Sequence, residues 1–209
     1  MPVSLILLLI YLCSPESMAQ SEPERFEAVA QFSTLGIDDP HGLGKRTEVG
    51  VGGTFTFNFN RYFALEAAGI FFPRNYEKVN TNFTGGRVIE GLFGVKAGVR
   101  KQRLGFFGKA RPGFVSSGRA VHAEFPNGNG LDPGNRFGFR FSRATQLALD
   151  VGGVLEIYPS KRAVVRFDAG DIITRYAKIQ FTLFPQGSTG SETVYRNTLQ
   201  FNAGVGFRF

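Results

Sequence analysis

The chain predicts an all-β fold: an eight-stranded antiparallel transmembrane up-and-down β-barrel. Three observations lead there. Apolar and polar residues alternate with period two over successive segments, and the connections between those segments alternate between short and long. Beyond the first residues, no apolar run approaches the roughly 20 residues of a membrane-spanning helix, so a span must be built from strands.

The elements follow in order. The opening MPVSLILLLIYLCSPESMAQ carries an apolar run from Val3 to Leu12 and then Ser17-Met18-Ala19, a small-x-small pattern suited to signal peptidase. The run is too short to span a bilayer, so residues 1–19 are expected to be a cleaved secretory signal, although no Lys or Arg precedes the run. Leu12 before Cys13 argues against a lipoprotein, where Gly or Ala is wanted. Removing these residues takes away the one Cys and Glu16, leaving 24 basic and 16 acidic residues, net +8. An exported chain without cysteine cannot rest on disulfides. Residues 20–209 are expected to form one barrel domain.

Strands are expected near 26–34, 48–59, 62–72, 87–100, 104–116, 146–157, 163–175 and 197–209. The last shows the pattern most plainly: Leu199, Phe201, Ala203, Val205, Phe207 and Phe209 alternate with Gln200, Asn202, Gly204, Gly206 and Arg208. The 27 glycines would weaken helices. Short turns fall at 60–61, 101–103 and 159–162, and long Gly, Asn, Pro and Ser-rich connections at 36–46, 73–86, 117–142 and 176–196. This segregation is the layout of an outer-membrane barrel with both termini on the short-turn side. RFGFRFSRATQL is in register with the sixth strand, and AKIQFTLFPQGSTGSETVYRNTL reads as a hairpin extending the last two strands into a ribbon. If 117–142 hides a hairpin, ten strands result.

Period two does not say which face is oily. Aromatic residues gather at strand ends: Phe57, Phe59, Tyr62, Phe63, Phe106, Tyr158, Phe207 and Phe209 near short turns, and Phe32, Phe71, Phe72, Phe114 and Tyr176 near long loops. Two such girdles fit a bilayer, although Trp is absent. Glycine and charge share the other face, as a narrow lumen requires.

The terminal FNAGVGFRF resembles the C-terminal assembly signal of bacterial outer-membrane barrels, with Phe201, Val205, Phe207 and Phe209 as its apolar positions. NRYFALEAAGIFFPRN, FFGKARPGF and VVRFDAGDIITRY resemble strands of the small OmpA-like and OmpX-like outer-membrane barrel domains, and the resemblance spans roughly residues 24–209. It implies a Gram-negative-type outer membrane, with barrel-assembly machinery and periplasmic chaperones as partners during biogenesis. No wall-binding domain follows the barrel in this sequence, so wall anchoring of the OmpA kind is not implied.

With the polar face inward, Glu66, Lys96, Lys109, Arg111, Asp150, Arg166 and Asp168 enter the lumen near the membrane midplane. Antiparallel neighbours at matched depth suggest Glu66 with Lys96, and Asp150 with Arg111 or Arg166. An eight-stranded barrel is filled by its own side chains, so a plugged lumen is expected. On the long-loop side Lys45, Arg46, Arg74, Lys78, Arg87, Arg119, Arg136, Arg140, Arg143 and Arg196 are placed to meet lipopolysaccharide phosphates or simply solvent.

Other chemistry finds little support. A Ser-His hydrolase needs an imidazole beside its nucleophile, and His41 and His122 both fall in long loops. NGNGLDPGN at 127–135 lacks the regular acids of a calcium loop, GVGG at 50–53 is followed by no helix, and the sequon at Asn82 is read as coincidence. The bases form no clustered stripe of the kind nucleic acid requires. The expectation is a monomeric, non-enzymatic barrel without cofactor or metal, structural or adhesive in role. A small-solute pore, a lipid-modifying barrel enzyme and a soluble lipocalin-like carrier stay open as alternatives.

Overall fold

The computed structural model describes residues 24–38, 45–73, 85–124, 138–183 and 188–209; at 37–38, 45–46, 85–86, 119–124, 138–142, 177–183 and 188–192 only the backbone is described. The expected signal segment, His41, Arg74, Lys78, Arg136, the sequon and NGNGLDPGN lie outside these residues.

Eight strands run in chain order: β1 (Phe26–Asp38), β2 (Lys45–Asn58), β3 (Phe63–Phe72), β4 (Gly85–Arg100), β5 (Leu104–Glu124), β6 (Gly138–Ile157), β7 (Ala163–Leu183) and β8 (Ser188–Arg208). Each pairs antiparallel with the next, and β8 returns to β1 through the register Glu27↔Arg208 to Leu35↔Gln200. The seam continues to the last residue, where Phe26 and Phe209 exchange backbone bonds of 2.9 and 2.8 Å. Closure leaves no sheet edge unpaired, which is what a strand-built structure needs in hydrocarbon.

The three short turns are tight for local reasons. The Asn60 side-chain oxygen accepts from the backbone N–H of Tyr62 and Phe63 at 2.8 and 2.9 Å, and Ser160 Oγ accepts from Arg162 and Ala163 at 3.3 and 3.1 Å. Between them, Lys101 N–H donates to the Leu104 carbonyl at 2.7 Å.

Alternation along each strand turns an ordinary protein inside out. Phe32 is 69% exposed and Phe207 65%, whereas Lys96, Arg111, Asp150 and Glu156 are fully buried. The shortest strand, β3, has ten residues and an aromatic at each end, the length a tilted strand needs to cross a bilayer. Inward glycine follows from the strands' close coiling. A Cβ on Gly94 would lie 2.1 Å from the Ala110 carbonyl oxygen, while one on the outward Gly69 would meet nothing within 4 Å.

The strands run further on the long-loop side than alternation alone predicts. The described parts of segment 117–142 extend the barrel strands: β5 and β6 continue to the pair Glu124↔Gly138, with an irregularity between Ser117 and Ala120. His122 is therefore a strand residue opposite Arg140, not a loop residue. Pairing of β7 with β8 reaches Leu183↔Ser188 beyond an irregularity after Tyr176, which makes a ribbon about PQGSTGS. Irregularities of this kind twist a ladder without ending it. Two residues expected in the girdles face the lumen instead: Phe72 is 1% exposed and Tyr158 4%. Tyr158 shares the parity of Glu156, and Phe72 that of Glu66, which outweighs the aromatic habit of sitting at an interface.

Candidate functional site

Among the described residues, the lumen is where charge is concentrated away from water. All seven charged residues expected there lie there, and β3 to β7 supply them at similar depth. Glu66 receives the Arg166 guanidinium on both oxygens, one bond at 2.9 Å, and also faces Lys96 at 3.2 Å and Arg111 at 3.3 Å. Thr56 Oγ donates to it at 3.2 Å. Asp150 is held by Arg111, whose Nε donates at 2.8 Å, and by Lys109 at 2.7 Å. Asp168 bonds Lys109, and Arg166 and Arg111 at 3.1 and 3.4 Å. Of the two partners expected for Asp150, the structure brings Arg111; Arg166 goes to Glu66, Glu156 and Asp168.

A second tier towards the short turns carries residues that sequence reasoning left out. Glu156 meets Lys96, Arg100 at 3.3 Å and Arg166 at 3.4 Å, and accepts the Tyr158 hydroxyl at 2.6 Å. Glu27 accepts from Asn58 at 3.1 Å, Arg100 at 3.0 Å and Arg208 at 3.1 Å. Arg100 Nε donates to the Tyr158 oxygen at 2.7 Å, and the Arg208 guanidinium lies over the Tyr158 ring at 4.3 Å. Tyr158 lies just past the end of β6. Burial, and then the neighbouring Glu156 carboxylate, push its phenol above the ordinary range, so it stays a donor. The signal for this tier was parity. Glu156 and Arg208 share the face of Asp150 and Gln200, and their long side chains reach from the rim towards the midplane.

One level above the network, Glu90 accepts two bonds from Gln200 Nε2, each 3.1 Å. Around it and towards the long loops Leu35, Ile70, Phe72, Val88, Leu92, Val115, Ala148 and Ile172 form a buried apolar cluster. These residues share the face of the charges, so apolar side chains join buried Glu48 and Glu90 on the inner wall towards the long loops. A smaller cluster of Val29, Tyr158 and Val164 sits at the short-turn end. By contrast, a hollow of 860 Å³ lined by Phe32, Phe106, Gly108, Gly153, Phe167 and Ala203 opens on the outer apolar face.

The remaining expected residues that the structure describes lie outside this network. Phe201, Val205, Phe207 and Phe209 all point outward and are exposed. Arg87 and Arg143 are exposed and Arg196 is half-buried, while Lys45, Arg46, Arg119 and Arg140 are strand positions on the long-loop side.

A closed eight-stranded barrel with an oily outside and an ionic inside defines a class of protein: the small barrels of outer membranes. Solved structures share the architecture. Ail, the attachment invasion locus protein of Yersinia pestis, superposes with TM-score 0.55 at 11% identity, covering 90% of this chain and 99% of its own. Its complex with the heparin analogue sucrose octasulfate gives 0.53 at 12%, covering 89% and 99%. Neisserial surface protein A gives 0.54 at 15%, covering 88% and 97%. No family model matches the chain, and no curated protein matches it. The likeness is one of fold: this is a small barrel of outer-membrane type.

Proposed function

We propose that this chain is an integral outer-membrane barrel with a sealed lumen and a structural or adhesive role on its long-loop side, without catalysis. The observation that carries the reading is the cross-barrel network beneath the apolar cluster. It spends the interior on self-contact and leaves function to the exterior. The signal segment 1–19, assembly through the Phe209 terminus and chaperoned passage to the membrane belong to the same reading.

The experiment is reconstitution of the purified chain in planar bilayers, alongside gel mobility in SDS before and after boiling. A boiling-dependent shift with no step conductance is expected. Discrete openings in the unmodified protein would replace the sealed barrel with a pore, and altered lipid A in cells carrying it would replace it with an enzyme.

The long-loop cations supply a second contact. Arg87 and Arg143 are exposed beside the strand ends, at the level where lipopolysaccharide phosphates lie around an outer-membrane barrel. Ail in complex with sucrose octasulfate is a case of a barrel of this fold meeting a polyanion. Charge reversal at Arg87 and Arg143 is expected to weaken lipopolysaccharide binding; unchanged binding removes the contact.

A further inference from the structure

We propose that the short-turn rim is a second, separate charged surface, built to hold anionic glycerophospholipid headgroups of the leaflet on that side. The inference rests on the membrane reading above.

Every short connection carries cations. Arg61 occupies the first turn, Lys101 and Arg103 the second, and Lys161 and Arg162 the third; Arg25 sits at the β8–β1 seam. All six are exposed, and among the described residues of this rim Glu24 is the one acid. The lumen a few residues away behaves differently, since its charges face one another across the barrel. An ordinary solvated rim would mix both signs.

Position identifies the partner. The turns join β2 to β3, β4 to β5 and β6 to β7, and Arg25 marks the junction of β8 with β1. The cations therefore fall at four points, two strands apart, around the whole circumference. A compact ligand would need them gathered on one side; a lipid annulus needs them spread.

The rings beside them set the depth. Phe59 and Phe63 flank Arg61 and are 61% and 57% exposed, and the Arg61 guanidinium lies 4.9 Å from the Tyr62 ring centre. At the seam, Phe26 lies 5.8 Å from Phe209 and 5.3 Å from Phe57. Aromatic rings of this kind sit at headgroup level, with the stems of Lys and Arg reaching past them to the phosphates. Tight turns hold the cations at that height: the bonds to Asn60 and Ser160 fix the loops that carry Arg61, Lys161 and Arg162. A zwitterionic headgroup offers such a ring no net charge, whereas phosphatidylglycerol offers one per lipid.

The test uses the full chain in phosphatidylcholine vesicles with a trace of spin-labelled phosphatidylglycerol or spin-labelled phosphatidylcholine, reading the fraction of each label immobilised at the barrel. At low salt the glycerol lipid should be favoured about threefold, as expected of cations held at a charged interface. The preference should fall towards unity at about 0.5 M salt, where screening is short-ranged. The variant K101Q/R103Q/K161Q/R162Q should insert normally, keep its boiling-dependent gel shift and lose the preference.

Normal insertion with equal immobilisation of both labels would overturn this inference and leave the membrane reading intact; failure to insert into any vesicle would overturn both. Retention of the preference in the turn variant would overturn it too. So would a wild type without lipid preference that sediments with cell-wall sacculi through the same four cations, since the rim would then read a wall polymer.

Discussion

Replacing Glu66 by Gln tests the network where it is most connected. The side chain is 1% exposed and faces Arg166, Lys96 and Arg111, so Gln keeps the shape and leaves three cations short of one anion. Arg166 retains Asp168 at 3.1 Å and Glu156 at 3.4 Å, and Lys96 retains Glu156, so the loss is of one partner among several. Removing one member of a buried pair costs about 3 to 5 kcal/mol, because the surviving charge stays dehydrated. With a urea slope of about 2 kcal/mol per molar, the midpoint of unfolding from lipid vesicles should fall by about 2 M. The assay is tryptophan-free: loss of the strand signal in circular dichroism, read with the gel shift. Arg166→Gln should cost a similar amount, and the double variant less than the sum by about 1 to 3 kcal/mol. A Glu66→Gln midpoint within about 0.5 M of wild type, or strict additivity with Arg166→Gln, would refute the reasoning, for it would mean the lumen is hydrated enough to treat these charges as surface ones.

Other expectations follow from single contacts. Gly94→Val should abolish the boiling-dependent gel shift while Gly69→Val leaves it intact, because a Cβ at Gly94 would lie 2.1 Å from a neighbouring carbonyl and one at Gly69 in open space. Tyr158→Phe removes a hydroxyl bonded to Glu156 at 2.6 Å and to Arg100 at 2.7 Å and should cost about 2 kcal/mol in urea unfolding. The folded phenol's pKa is raised, so its contribution is complete below the unfolded value near 10 and is lost as pH rises beyond it. The gap between wild type and Tyr158→Phe should therefore be constant to about pH 10 and narrow above it. Phe209→Ala loses a ring 5.8 Å from Phe26 but not the backbone bonds of the seam. Refolding yield in detergent should hold, while the amount assembled in cells drops on heat-modifiability blots.

The strands were legible because the two faces meet different solvents, and Phe201 against Gln200 states that difference residue by residue. The inward face of Glu66, Lys96 and Arg111 was legible for the same reason. Partner choice was not. Arg166 reaches across the barrel to Glu66, a contact between β7 and β3 that no hydrogen-bonded ladder contains. Matched depth on adjacent strands found Asp150 with Arg111, which are direct register partners. It could not find pairs set by the width of the lumen. Glu27, Glu156 and Arg208 lie near the rim by residue count and enter the network through side-chain length. The apolar cluster of Ile70, Phe72, Val88 and Ile172 was written in the parity as well, hidden because apolar residues were assigned to the lipid face.

The seam between β1 and β8 has a consequence in time. Seven of the eight ladders join strands adjacent in sequence, and each can zip as a hairpin as soon as its second arm exists. The eighth joins Glu27 to Arg208 across 181 residues. Until those arms meet, the sheet has two open margins, β1 and β8, whose free N–H and C=O groups would pair with any passing strand. The circle is therefore a single closing event that every earlier hairpin must wait for. Such a chain is safest kept unpaired in water and completed where its outer face finds oil.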